Sequence, residues 1–183
     1  MADTLTITDN RTGKQYEVPI TDGTIKAMDL RKIKHGDDDF GLTTYDPAFM
    51  NTASCRSKIT YIDGDKGILM YRGYPVEQLA GKSSFIEVAW LLLYGDLPSQ
   101  TELVEFDRSI RTHTMLNETI LRLFNGFHYD AHPMAMLCAV VGSLAAFYHD
   151  STDSDDPKQR YLAAIRLIAK MPTIAAAAYR YTI

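Results

Sequence analysis

Apolar and polar residues alternate near the N-terminus, and this period of two gives way to a helical period further along the chain. Alternation predicts strands at residues 5–8 and 16–20, around a turn-rich segment. A second hairpin is predicted at residues 58–62 and 68–71, because they flank a turn that contains two glycines. Residues 1 to about 72 are therefore predicted to be β-rich and irregular.

Helical signals begin at Pro75. This proline suits the first position of a short helix, and Gly81 suits its end. Ser84 and Ser99 each precede a glutamate by three residues, which is the capping-box pattern at the start of a helix. Gly95 is expected to end the helix that Ser84 opens. The helix after Ser99 is predicted to place three apolar side chains on one face, namely Leu103, Phe106 and Ile110.

The helices predicted after residue 116 are strongly apolar. Asn117 is expected to cap one helix, and Pro157 begins another that Pro172 kinks or interrupts. Residues 133–148 are apolar on every side, so this helix is predicted to be central and buried by other helices. The side chains predicted to be buried in the first and last of these helices are Ile120, Leu121, Leu123, Phe124, Phe127, Tyr161, Leu162, Ile165 and Ile168.

The last ten residues form an unusual end for a natural domain. Residues 174–183 are a helix-forming run of alanines and tyrosines without a glycine, a cap or a polar tail. We interpret this end as a truncation. The alternative is the frayed C-terminal helix of a complete protein.

Composition places the chain among soluble globular proteins, since 46% of its residues are hydrophobic and 23% are charged. The net charge of -4 argues against a general nucleic-acid binder, which needs a basic face to displace counterions from phosphates. A net charge of this size is still compatible with a local basic site that binds a small anion.

The compartment is predicted to be the cytoplasm. Cys55 and Cys138 are interpreted as reduced thiols rather than as a disulfide. No basic and apolar export signal is present at the N-terminus, and residues 134–148 are too few to span a bilayer. No membrane partner is expected.

Motifs of the common catalytic classes are absent from the sequence. It contains no dinucleotide-binding or phosphate-binding glycine motif, no HExxH and no GxSxG. His128 and His132 form a loose pair without a visible third ligand, so no metal site is predicted.

One cluster of side chains has the chemistry of an anion site. Arg166 and Lys170 are four residues apart on one helix and share a face, and Tyr148 ends the preceding helix. Two cations and an aromatic ring suit a phosphate-bearing ligand. On spacing alone, a solvated helix face remains the favoured alternative. Residues 113–115 lie between two helices and are, on the same basis, more typical of a plain turn.

Several segments resemble the citrate synthase family. Residues 54–76 closely resemble the N-terminal signature of these enzymes, and shorter matches follow at residues 94–98, 132–134, 147–150 and 170–173. The resemblance implies a mainly α, citrate-synthase-like helical fold preceded by a small β-rich domain. Residues 1–50 would form the β-rich N-terminal domain, and residues 51–183 would form the N-terminal part of the helical large domain.

The resemblance implies condensation of acetyl-CoA with oxaloacetate and water, giving citrate and CoA in the tricarboxylic acid cycle without a cofactor. The family's catalytic Asp and His are expected beyond Ile183, so no catalytic residue is assigned and the chain alone is expected to be inactive. The β-rich segment resembles the hexamer-forming Gram-negative type, which implies a homo-oligomer. The alternatives are a 2-methylcitrate synthase that acts on propionyl-CoA, or a stand-alone helical assembly module.

The hexameric type also implies an allosteric site for NADH. Its residues correspond to His113, Thr114, Met115, Tyr148, Arg166 and Lys170. One position departs from the family pattern: the arginine that precedes the histidine is replaced by Thr112, with Arg111 one place earlier.

Overall fold

The computed structural model describes residues 3–183. Two compact units divide the chain, the first ending at Ser57 and the second spanning Lys58–Ile183.

The first unit is built on a three-stranded antiparallel sheet. β1 (Thr4–Asp9) pairs with β2 (Lys14–Thr21), and the short β3 (Thr24–Ile25) pairs with the other edge of β2. Asp9 accepts hydrogen bonds from the backbone and side chain of Arg11, which closes the turn between the first two strands. The predicted N-terminal hairpin is therefore confirmed.

The second unit begins with a small sheet and continues as helices. The predicted second hairpin is confirmed, because the strand Thr60–Asp63 pairs antiparallel with the strand Ile68–Tyr71, from Thr60 opposite Tyr71 to Asp63 opposite Ile68. Two 3₁₀ turns, Leu123–Gly126 and His149–Ser151, interrupt the helical part. The remaining bounds are β4 Thr60–Asp63, β5 Ile68–Tyr71, β6 Tyr74–Pro75, α1 Val76–Lys82, α2 Phe85–Tyr94, α3 Gln100–Thr112, α4 Glu118–Arg122, α5 Pro133–Phe147 and α6 Pro157–Tyr181.

Local capping signals were predicted well. Ser84 and Ser99 each make both halves of a capping box, and Asn117 accepts a hydrogen bond from the N–H of Thr119. Gly95 adopts a φ of 102° and ends α2, as expected. The end predicted at Gly81 is wrong. That glycine stays helical, and the extended Ser83 ends α1 instead, because glycine permits a left-handed end without requiring one.

The core of the second unit consists of two clusters that share α6. Ile165 and Ala169 pack with Phe106 and Ile110 of α3, while Ile174 and Ala178 pack with residues of α4, the following 3₁₀ turn and α5. The central helix is therefore α6. The prediction that residues 133–148 are central is wrong in this chain, because α5 fully buries a single stripe, packs the side chains beside that stripe only partly, and exposes its opposite side. Its buried stripe is Met136, Val140 and Leu144.

Three predicted core side chains are exposed instead. α4 is five residues long, so only Ile120 and, in the following turn, Phe124 face the core, and Leu121 and Leu123 point outward. Tyr161 is also exposed, because the buried stripe of α6 begins one turn later at Ile165.

The C-terminal half of α6 is better anchored than its sequence indicates. The helix is not interrupted at Pro172, because buried side chains on both sides of the proline hold it against the core. Thr182 donates from its N–H and its hydroxyl to the carbonyl of Tyr179, at 3.1 and 2.8 Å, so the end is capped after all. The hydroxyl of Tyr181 donates to the carbonyl of Phe127 at 2.8 Å.

Among the residues that the structure describes, α6 is the one helix that is long and apolar enough to cross a membrane. Core helices of soluble proteins also meet this test, and one stripe of α6 packs against α3 and α5. We therefore describe α6 as a core helix.

Candidate functional site

The six residues that the family resemblance assigns to an allosteric NADH site lie together where α6 passes the ends of α3 and α5. Arg166 and Lys170 are one helical turn apart on α6, and Tyr148 is the residue that ends α5. The aromatic ring of Tyr148 lies 4.5 Å from the guanidinium carbon of Arg166 and 5.0 Å from Nζ of Lys170, both measured to the ring centroid. Both distances are in the range of cation–π contacts.

Arg166 is held by an ion pair that its sequence position did not reveal. Its Nη1 and Nη2 donate to the two carboxylate oxygens of Asp150 at 2.6 and 2.9 Å, and Nη1 also donates to the hydroxyl of Ser151 at 2.8 Å. The Arg166 side chain is 14% exposed, whereas that of Asp150 is 63% exposed. The hydrogen bonds from Arg166 lower the pKa of the Asp150 carboxyl, and the same pair raises the pKa of the guanidinium.

Lys170 is buried, with 3% of its surface exposed, and it binds the backbone. Its Nζ donates to the carbonyls of His113 and Met115 at 2.7 and 2.6 Å. The hydroxyl of Thr173, three residues further along α6, donates to the intervening carbonyl of Thr114 at 2.9 Å. Three consecutive carbonyls of the segment after α3 are thus bound to one face of α6, so Lys170 and Thr173 position this segment.

The segment after α3 is also ordered from within. Nδ1 of His113 lies 2.8 Å from the carbonyl of Ser109, and this contact requires the tautomer with a proton on Nδ1. The hydroxyl of Thr112 is within 3.1 Å of two backbone carbonyls of α3. Arg111 pairs with Asp107 at 2.7 Å on the exposed side of α3, so it does not replace the cation that the family pattern has at position 112.

A cavity of about 260 Å³ opens beside this cluster, between α5 and α6. Its walls are mostly aliphatic, and its polar groups come from Tyr148, Ser151, Thr152 and Arg166. A second cavity of about 390 Å³ is lined only by apolar side chains, so it does not suit an anion. The residues that line this second cavity are Phe85, Leu167, Ile168, Met171, Pro172 and Ala175.

Three residues of the cluster were missed in the sequence. Thr173 lies one turn from Lys170 on the same face of α6, so helical spacing could have identified it. Asp150 and Ser151 directly follow Tyr148, but nothing in the local sequence shows that the chain turns back and brings them to Arg166.

Two histidines outside the cluster have local partners. His128 pairs with Asp130, and Nδ1 of His132 accepts a hydrogen bond from the N–H of Met134 at the start of α5. No group of three or more potential metal ligands occurs within residues 3–183.

Comparisons with known proteins point to one family. A family model described as "Citrate synthase, C-terminal domain" matches residues 48–183. A citrate synthase of Dictyostelium discoideum is 49% identical over 187 residues, which cover 98% of this chain and 36% of that protein.

Solved structures agree with the sequence comparisons. A citrate synthase of Pyrobaculum aerophilum has a TM-score of 0.66 and 33% identity, over 73% of this chain and 35% of its own. A Thermoplasma acidophilum citrate synthase, solved as a ternary complex with carboxymethyl coenzyme A and oxaloacetate, has a TM-score of 0.66 and 26% identity, over 72% and 34%. The predicted mainly α, citrate-synthase-like fold with small N-terminal sheets is confirmed. The chain spans about a third of the length of these relatives.

Proposed function

Because this chain belongs to the citrate synthase family, we propose that the whole protein condenses acetyl-CoA with oxaloacetate and water to give citrate and CoA. The observation that carries this proposal is the family match over residues 48–183, together with the 49% identity to the Dictyostelium citrate synthase. The ternary complex of the Thermoplasma enzyme supports the choice of substrates, since it contains oxaloacetate and an analogue of acetyl-CoA.

The reaction is tested with the whole protein and, in parallel, with the 183-residue chain. CoA release from acetyl-CoA is expected only when oxaloacetate is present, and only from the whole protein. A higher kcat/KM with propionyl-CoA would instead indicate a 2-methylcitrate synthase. Turnover by the 183-residue chain would show that catalytic residues lie within it, contrary to the proposal.

We also propose that the cluster around Arg166 is a regulatory site that binds the phosphates of NADH. The support is geometric. A guanidinium that is mostly buried, an aromatic ring within 4.5 Å of it and an adjacent cavity match a ligand with phosphates and a flat ring. Lys170 has at most one N–H donor left for such a ligand, because two of the three N–H groups of its ammonium bind backbone carbonyls.

The proposed assembly is the homohexamer of the Gram-negative type, in the cytoplasm. The β-rich unit that precedes the helical part supports this proposal. Light scattering on the whole protein measures the assembly directly, and a dimer alone would exclude the hexameric type.

The regulatory proposal is tested by Arg166→Ala in the whole protein. Loss of one charge-assisted contact to a phosphate costs about 1.5–3 kcal/mol, so NADH inhibition should weaken by roughly ten- to hundredfold. Arg160→Ala is the matched control, because Arg160 is an exposed arginine of the same helix. If Arg166→Ala lowers the melting temperature but leaves inhibition unchanged, Arg166 has a structural role only.

A further inference from the structure

The donors of Arg166 are mostly in use. A guanidinium has five N–H groups, and its two Nη atoms form the fork that recognises carboxylates and phosphates. In this structure both atoms of the fork donate to the carboxylate of Asp150, and Nη1 also donates to the hydroxyl of Ser151. The buried Nε has no hydrogen-bond partner among the described residues. An incoming phosphate therefore cannot bind the fork at two points while Asp150 remains on it.

We propose that Asp150 is an internal competitor that occupies the anion-binding fork of Arg166 and must be displaced before a phosphate-bearing ligand binds there. This inference deepens the proposed regulatory site and rests on it for the identity of the ligand. The competition itself depends only on the chemistry shared by phosphates and carboxylates.

The two partners of this ion pair differ in how firmly they are held. The Arg166 side chain is largely buried and lies against the ring of Tyr148, whereas Asp150 is exposed on the short 3₁₀ turn His149–Ser151. Rotation of the Asp150 side chain moves its carboxylate into solvent without uncovering the core. Because the Asp150 carboxylate already lies largely in solvent, it loses little by leaving, and the guanidinium gains a partner of higher charge. Ser151 then keeps the guanidinium in position.

Competition and a purely structural ion pair predict different effects of removing the carboxylate. If Asp150 only stabilises the fold, its loss lowers the melting temperature and leaves anion affinity unchanged. If Asp150 competes, its loss raises anion affinity, and the gain requires Arg166.

The test compares four forms of the whole protein: the wild type, Asp150→Asn, Asp155→Asn and the double variant Asp150→Asn with Arg166→Ala. Asp155 belongs to the same acidic loop and does not contact Arg166, so it controls for the loss of one negative charge. The probes are inorganic pyrophosphate and NADH, titrated by calorimetry. Circular dichroism verifies the fold, and Asp150→Ser replaces Asp150→Asn if the latter is misfolded.

Asp150→Asn is expected to bind pyrophosphate about three- to tenfold more tightly than the wild type, whereas Asp155→Asn changes affinity by less than about twofold. The double variant should lose the gain. Equal affinity of Asp150→Asn and the wild type, or no pyrophosphate binding by either, overturns the inference. Tighter pyrophosphate binding without any NADH binding supports the competition and rejects NADH as the ligand. NADH binding that is equal in all single variants supports the regulatory site and rejects the competition.

Discussion

Replacing Lys170 by methionine tests whether this buried cation positions the segment after α3. The substitution removes the two donors that bind the carbonyls of His113 and Met115 and retains an unbranched, flexible side chain of similar length. Leaving one carbonyl without its hydrogen-bond partner in a partly buried site lowers stability by about 1–3 kcal/mol. The variant no longer has to bury a charged ammonium, and this gain in stability offsets part of the loss.

The net effect of Lys170→Met is expected to be a loss of about 2 kcal/mol in the free energy of unfolding. For a chain of this size, that loss lowers the melting temperature by roughly 4–8 °C. The loss should also be local. Hydrogen-exchange protection should fall at the first amides of α4, which follow the released segment, and should remain unchanged in the β4–β5 hairpin.

Lys158→Met is the matched control, because Lys158 is exposed on the first turn of the same helix. If Lys170→Met lowers the melting temperature no more than Lys158→Met, the two carbonyl contacts do not stabilise the fold and the positioning role is refuted. A second check is the double variant with Thr173→Val. Because Thr173 binds the carbonyl between those that Lys170 binds, the two effects should not be additive.

Two further features give predictions. Ser99→Ala should cost about 1 kcal/mol by loss of the N-cap of α3, measured by urea unfolding against Thr101→Ala, and an equal effect of both would contradict the cap. Hydrogen bonds from Ser99 lower the pKa of Glu102 below its ordinary 4.5. The difference in the free energy of unfolding between wild type and Ser99→Ala should therefore be full above pH 4.5 and shrink as the pH falls through the lowered pKa. A stability difference that grows as the pH falls would contradict the lowered pKa of Glu102. The 183-residue chain should also self-associate, because Phe85 and Met134 are exposed beside further apolar side chains of α2, α5 and α6. A monomer by light scattering at high concentration would count against this.

Features that depend on near neighbours could be predicted from the sequence. The capping boxes at Ser84 and Ser99 each join groups three residues apart, and Gly95 ends α2 through its own backbone freedom. The two hairpins follow from alternation and from turn residues a few positions apart. The spacing of Arg166 and Lys170, four residues apart, likewise placed both cations on one face of α6. In each case the interacting groups are close in sequence, so the local pattern contains the required information.

The tertiary structure alone decided which surfaces those elements bury and what their polar groups bind. An apolar sequence shows that α5 favours burial, but it does not show which helix covers it, and the central position belongs to α6. Lys170 binds a carbonyl 57 residues away, and Arg166 binds a carboxylate 16 residues away. Such partners depend on where the chain returns after intervening turns. The sequence therefore determined where two cations project, whereas the packing of α6 against the ends of α3 and α5 made one a positioning residue and gave the other a carboxylate partner.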